Sequence, residues 1–304
     1  MPFLRGTYSI VAADREAGEV GVAVQSKYFC VGGVVPWARA GVGAVATQAA
    51  GVAAFGPAGL RELEAGASPQ EALERVLAAD EGRATRQLGI VTAAGEAAAW
   101  TGEGCSEWAG HIVGDGFAVQ GNILAGPAVV EEMARAFRDT PGPLAERLVA
   151  ALEAAQAAGG DKRGQQSAAL VVERTGAAAD RREGIDRVVD LRVDDHEQPV
   201  LEIRRLLEIH TRWDLMMRAY SRHVAGDYNG ANALTEEGLR RYPDDPLLLY
   251  NAACYEALAG NRERALERLR RSCELDETML PMARGDEDFA TLREDEEFRS
   301  IVGV

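Results

Sequence analysis

Strand-like and helix-like segments follow one another in blocks along this chain: strands, two helices, strands, two helices, strands, and then helices alone. The run TYSIVAA at 7–13 is β-prone, DREAG supplies turn residues, and EVGVAVQSKYF resumes the strand character, so the first block opens with a hairpin. A three-residue loop, Glu16-Ala17-Gly18, with Gly18 in the left-handed conformation that such loops favour, sets Arg15 against Glu19 and Thr7 against Lys27. A two-residue loop sets Ser26 there instead, and either register leaves Lys27 near the start of the first strand.

Small-residue strand material follows around 42–48, and then two helices over GPAGLRELEAG and SPQEALERVLAAD. Ser68 is a good cap for the second of them, with Pro69 at the first helical position and Glu71 completing a capping box. RQLGIVTAAGEAAAWTG reads as a hairpin turning at Ala94-Gly95, and WAGHIVGDGFAVQGNIL adds strands. Helices are expected over about 127–138 and 143–158; the loop GGDKRGQQ leads into the strand SAALVVER, and DRVVDLRVDD supplies a further strand. This order fits a layered α+β arrangement better than regular βαβ alternation. From Glu202 onward the pattern is helical and repeats itself: Ala225-Gly226-Asp227 recurs as Ala259-Gly260-Asn261, and Ala231 as Ala265, with an offset of 34 residues. That offset is the tetratricopeptide period, and the YPDDP break at 242–246 falls where paired helices need a stop. We therefore expect an α+β domain over 1–200 and a small all-α, tetratricopeptide-like domain over 201–304, closed by a capping helix in the tail MARGDEDFATLREDEEFRSIV.

Composition narrows the function. A net charge of −15 repels nucleic acid and anionic membranes, because binding to either depends on basic groups that neutralise phosphates. The most apolar region, 31–60, is interrupted by Pro36, Arg39 and Gln48, and the first residues lack the pattern of a secretory signal. A cytoplasmic protein is expected. Cys30, Cys105, Cys254 and Cys273 are scattered with no C-x-x-C pair, so reduced, mostly buried thiols are expected, not a zinc site or a disulfide framework.

The run from Thr7 through ATQA at 46–49, WAGH at 108–111, QGN at 120–122, AGGDKRGQQSAAL at 158–170 and DLRVDDH at 190–196 occur in an order that resembles the bacterial family known as domain of unknown function 1028. The resemblance covers residues 7 to about 200. It implies the four-layer αββα sandwich of the N-terminal-nucleophile hydrolases, with a threonine or serine heading the first strand. It also implies a small C-terminal domain, tetratricopeptide-like or peptidoglycan-binding, of which the repeat favours the former. Family members start at or next to the threonine, so residues 2–6, PFLRG, are a departure.

In such enzymes the hydroxyl of the first residue attacks an amide carbonyl while its own α-amine, with a pKa of about 7.7–8.0, takes the proton. A peptide nitrogen cannot do this, so Thr7 needs the Gly6–Thr7 bond cut, and a glycine before the threonine resembles the self-cleavage junction of proteasome β subunits. Lys27 can lower the pKa of the amine and hydroxyl and stabilise an oxyanion, or be a solvated strand lysine. Asn122 can donate an oxyanion hydrogen bond, or sit in a turn beside Gly121. His111, Asp161, Lys162 and Arg163 are the candidate substrate-binding residues: GGDKRG either presents Lys162 or Arg163 to a carboxylate or is a helix stop with a solvated turn. His111 is either a base or a hydrogen-bonded core histidine. A weaker reading makes Asp194, Asp195 and His196 ligands of a cation, although the triplet lacks diagnostic spacing and suits a cap for the helix near Pro199.

These readings converge on a hydrolase of a small amide that uses Thr7, Lys27 and Asn122, with no metal and no cofactor. The alternative is a non-catalytic ligand-binding or scaffold protein whose helical repeats dock a partner protein or a second subunit. A homo-oligomer is expected in either case, the commonest outcome for soluble assemblies.

Overall fold

The computed structural model describes residues 6–180 and 184–304; the PFLR portion of the N-terminal departure lies outside them. The chain divides into two compact units, Met1–Leu207 and Glu208–Val304.

Among the described residues of the first unit, ten strands form two antiparallel sheets. β1 (Thr7–Asp14), β2 (Glu19–Ser26), β7 (Gly110–Gly114), β8 (Phe117–Asn122), β9 (Ser167–Arg174) and β10 (Arg187–Val193) build a six-stranded sheet in the order β10-β9-β2-β1-β8-β7. β3 (Pro36–Arg39), β4 (Gly43–Ala49), β5 (Arg86–Thr92) and β6 (Ala97–Thr101) build a second sheet in that order. Strands β1, β2 and β4 are buried along nearly their whole length, which in a strand means that both faces are covered.

Alternation along β1 shows what covers each face. Tyr8, Ile10 and Ala12 share a core with Val130, Met133 and Phe137 of α3 (Ala128–Asp139) and Leu148 and Leu152 of α4 (Leu144–Ala157). Val11 and Ala13, on the other face, join Val20, Val22 and Val24 against Ala44, Ala46 and Val91 of the second sheet. That sheet in turn buries Val45, Leu88 and Ile90 against Leu60 and Leu63 of α1 (Phe55–Glu64) and Leu73 and Leu77 of α2 (Pro69–Leu77). The capping box at Ser68 is present: Ser68 Oγ accepts from Glu71 N and Glu71 Oε2 accepts from Ser68 N at 2.8 Å. A short turn α5 (Ala177–Asp180) precedes β10.

The β1–β2 register is the one that sets Ser26 opposite Thr7, with Asp14 facing Glu19. The loop has neither three nor two residues but four, Arg15 to Gly18, because Asp14 Oδ1 accepts a hydrogen bond from Ala17 N and closes a wider turn. β3 carries Pro36 at its first residue, where an edge strand tolerates a missing donor.

Helix α6 (Pro199–Val224) begins in the first unit, where Val200, Ile203 and Leu207 are buried in the same core as α3 and α4 and Arg204 pairs with Glu146 and Glu153 of α4; the first compact unit runs to Leu207. In the second unit α7 (Tyr228–Arg241), α8 (Pro246–Leu258) and α9 (Arg262–Leu275) are paired helices. The 34-residue offset is visible in the backbone: Asp227 (φ −87°, ψ 70°) and Asn261 (φ −90°, ψ 66°) take nearly the same angles at the heads of α7 and α9, and Ala231 and Ala265 are both fully buried. The tail is not one helix. It forms α10 (Met279–Gly285), a 3-10 turn (Glu287–Leu292) and α11 (Glu296–Val302); an aspartate, Asp286 or Asp295, heads each of the last two and accepts from the backbone of the turn it starts. Among the described residues, no helix is long and apolar enough to cross a membrane.

Candidate functional site

Thr7 heads β1 between Ser26 of β2 and Asn122 of β8, its partners in the two flanking strands. It is 2% exposed, so its hydroxyl must be paired inside the protein. Thr7 Oγ1 lies 3.0 Å from Ser26 Oγ, and Ser26 Oγ lies 2.5 Å from the carbonyl oxygen of Gly6. A serine hydroxyl has one proton, and a carbonyl can only accept. Ser26 therefore donates to Gly6 O, and the Thr7 hydroxyl donates to Ser26. Arg163 Nη2 donates a second hydrogen bond to the same carbonyl at 2.9 Å. The carbonyl of the residue preceding Thr7 thus sits between a hydroxyl and a guanidinium.

The arginine is placed by the loop after α4. Gly159 (φ 107°) and Gly160 (φ 53°) turn the chain, Ala125 N donates to Gly160 O, and Lys162 N donates to Ile123 O, which pins the loop to the end of β8. The Asp161 side chain is fully covered. It accepts from Arg163 N (2.9 Å), Arg163 Nε (3.0 Å), Arg163 Nη2 (2.7 Å) and Lys27 N (3.3 Å). This fork holds the guanidinium flat and aimed at Gly6. Burial, reinforced by the charge of Asp161, pushes the Tyr8 phenol far up, and the hydroxyl stays protonated as a donor to Gln156 Oε1 at 2.9 Å.

Behind Thr7 lies a network of neutral side chains that connects the two sheets. Gln48 Nε2 donates to Thr7 O (3.4 Å) and to Gln87 Oε1 (2.9 Å), and its Oε1 accepts from Ser9 Oγ at 2.6 Å. Asn122 Nδ2 donates to Gln87 Oε1 at 2.9 Å, and Gln87 Nε2 donates to Thr101 Oγ1 at 2.9 Å and to the carbonyls of Gly110 and Gly121. Gln120 packs over β5 and reaches Ser9 because Gly89 leaves room: a Cβ there would stand 2.1 Å from Gln120 Oε1. Three non-glycine residues with positive φ, Cys30 (56°), Ala49 (66°) and Ile123 (56°), lie at or just beyond the ends of β2, β4 and β8 on this side, a conformation that costs about 1–2 kcal/mol each. The cleft at Thr7, lined among others by Ser26, Tyr28, Thr47 and Gln48, has a volume of about 20 Å³, room for one water.

The expected site residues part company here. Thr7 and Asn122 are adjacent, and Asn122 ends a strand instead of occupying a turn. Asp161 and Arg163 reach the junction, whereas Lys162 is exposed. Lys27 contributes its backbone amide to Asp161, but its ammonium donates to Gln165 O at 3.0 Å and lines a separate, open cleft of about 600 Å³ with Gln166, Asp195 and His196. His111 is an exposed residue of β7 hydrogen-bonded to Thr101 Oγ1 at 2.8 Å, not a core histidine, and partial desolvation lowers its pKa. Asp194, Asp195 and His196 are exposed, and His196 Nδ1 accepts from Gln198 N directly before α6. Among the described residues the ligand-type atoms that lie within 4.8 Å of one another belong instead to Cys254, Asp286 and Asp288. There burial and the two carboxylates push the thiol pKa far up, and Asp286 already accepts from Tyr250 OH at 2.8 Å.

Sequence reasoning passed over Ser26, Gln48, Gln87 and Gln120 as site residues. The signal that marks them is a polar residue at or near the end of a mostly apolar strand, which in a sheet covered on both faces must be buried.

A family model described as "Family of unknown function (DUF1028)" matches residues 7–203. The crystal structure of protein SPO2555 from Silicibacter pomeroyi, which carries the same family-model name, is similar at 34% identity with a TM-score of 0.61; the match covers 68% of this chain and 89% of that one. No curated protein matches.

Proposed function

The chain belongs to the DUF1028 family of unknown function, and from that premise we propose that it is an amide hydrolase of the N-terminal-nucleophile type, activated by cleavage after Gly6. On this reading the two sheets and their helix pairs make the four-layer αββα sandwich of that class, the second unit is tetratricopeptide-like, and the protein works in the cytoplasm without a cofactor. One observation carries the reading: the Gly6 carbonyl accepts from both Ser26 Oγ and Arg163 Nη2 beside the buried Thr7 hydroxyl.

Two donors on a peptide oxygen polarise its carbon, and both hydrogen bonds strengthen as the oxygen gains charge. Thr7 Oγ1 adds to the Gly6 carbonyl carbon, the C–N bond breaks, and the proton leaving the hydroxyl ends on the nitrogen that becomes the Thr7 α-amine. Water then cleaves the ester, releasing residues 1–6 with a new carboxylate and restoring the hydroxyl. Freed, the α-amine serves as base for substrate amides. Arg163 takes the electrostatic role expected of Lys27, and Asn122 positions the network under Thr7 through Gln87. Intact-mass measurement during incubation tests the reading. Wild type should lose residues 1–6 and Thr7→Ala should keep them; an unchanged mass in both overturns it.

A second reading has its own observation. On α6, Trp213 (50% exposed), Tyr220 (42%) and Val224 (67%) follow the i, i+7, i+11 spacing of one helix face. Such a stripe suits docking of a partner protein or a second subunit, and light scattering of wild type against Trp213→Ser tests it.

A further inference from the structure

We propose that the acyl pocket accepts only acyl groups whose α-carbon is unbranched, which makes glycyl and acetyl amides the substrate class; this rests on the Thr7 reading above. In activation and in turnover the same hydroxyl attacks a carbonyl, and Ser26 Oγ and Arg163 Nη2 define where that carbonyl oxygen must lie. Gly6 is therefore a built-in image of the acyl group, and the α-carbon of a substrate falls where the Gly6 α-carbon lies. A side chain there has no room. A Cβ on Gly6 would stand 2.6 Å from Asp161 Oδ2, 2.8 Å from Asp161 Cγ and 2.8 Å from Arg163 Nη2.

None of these atoms moves cheaply. The Asp161 carboxylate is fully covered, accepts four hydrogen bonds, two of them from backbone N–H groups, and sits on a residue that bridges to Leu124. Arg163 Nη2 is one of the two donors to the carbonyl, so displacing it to admit a side chain removes the stabilisation that the reaction needs. An L-α-branched acyl group must either shift a buried ion pair or lose an oxyanion donor. Glycyl and acetyl groups require neither.

The chemistry balances without a co-reactant other than water: the Thr7 Oγ1–acyl bond forms as the amide C–N bond breaks, the hydroxyl proton passes by way of the α-amine to the leaving nitrogen, and water cleaves the ester. The test uses the processed chain, beginning at Thr7, with acetyl, glycyl and L-alanyl para-nitroanilides. Glycyl and acetyl substrates should turn over with kcat/KM on the order of 100-fold above L-alanyl. In the full chain, Gly6→Ala should slow release of residues 1–6 by a similar factor. Equal rates for glycyl and L-alanyl substrates would overturn the pocket while leaving the Thr7 nucleophile standing. Release of nitroaniline from none of the three, by a chain shown by mass to begin at Thr7, would sink both.

Discussion

The two units handle polarity in opposite ways. The first buries it: Thr7, Ser9, Ser26, Gln48, Gln87, Gln120, Asn122 and Asp161 are all at most 3% exposed, and all but Asp161 are neutral. The second keeps most of it outside as ion pairs, such as Arg262–Asp295 at 2.6 Å and Arg271–Asp244 at 2.8 Å, each with at least one partner about half exposed. Interior amides cost stability unless they are answered, whereas surface pairs are worth little either way. A fold needing only cohesion would fill the space between its sheets with valine, as this one does at Val11, Val22 and Val24. On the proposed reading, the polar end of the same space is scaffolding for Thr7.

The contrast breaks most visibly at Gln87. Its amide accepts from Gln48 and Asn122 and donates to Thr101, Gly110 and Gly121. Gln87→Leu orphans these groups at about 1–3 kcal/mol for each that finds no water, so a loss of about 4 kcal/mol is expected. Hydrogen exchange followed by mass spectrometry checks it: protection should collapse over β5 and β8 and persist over α8 and α9. Uniform loss in both units would mean that the amide network has no special standing.

Ser26→Ala sharpens the contrast in the other direction, because the side chain is small and, on the proposed reading, acts chiefly as an oxyanion donor. Removing one oxyanion donor costs about 10²–10³ in rate, so release of residues 1–6 should slow by that factor, while the Thr7 hydroxyl left without its acceptor lowers stability by about 1–3 kcal/mol, less than at Gln87. A variant that processes at the wild-type rate would leave Ser26 with packing alone.

How much of this was legible beforehand follows the same division. Local chemistry reads well: the capping box at Ser68, the stops at Gly226 and Gly260 and the hairpin at 7–26 are set by residues within a few positions of one another. The register needed the side chain of Asp14, which widens the loop to four residues and brings Ser26, not Lys27, to Thr7. Gln48, Gln87 and Gln120 come from three strands in two sheets, and only the packing of those sheets reveals them as one network. Arg163 was in view as a candidate, but its aim depends on a buried Asp161 that no spacing rule announces.

The smallest effect belongs to the second unit and concerns pH. Asp295 caps α11 by accepting from Glu297 N at 2.9 Å and Phe298 N at 3.3 Å, and it pairs with Arg262 Nε at 2.6 Å. The Arg262 hydrogen bond, aided by these backbone N–H groups, lowers its pKa to about 2. An unfolded aspartate titrates at about 3.9. A depressed folded-state pKa gives stability that is present above the unfolded value and is lost as pH falls through the folded one, so the loss should run from about pH 4 to about pH 2. An asparagine at this position keeps the cap and loses the charge. Asp295→Asn should therefore flatten this part of the acid limb, read as amide exchange over α11, without touching processing of the N-terminus. The Gln48, Gln87 and Asn122 side chains do not titrate, and although Arg86 at the head of β5 pairs with Asp80, whose pKa is likewise lowered, β8 carries no such pair, so exchange over β8 measured across the same range should not follow the Asp295 curve.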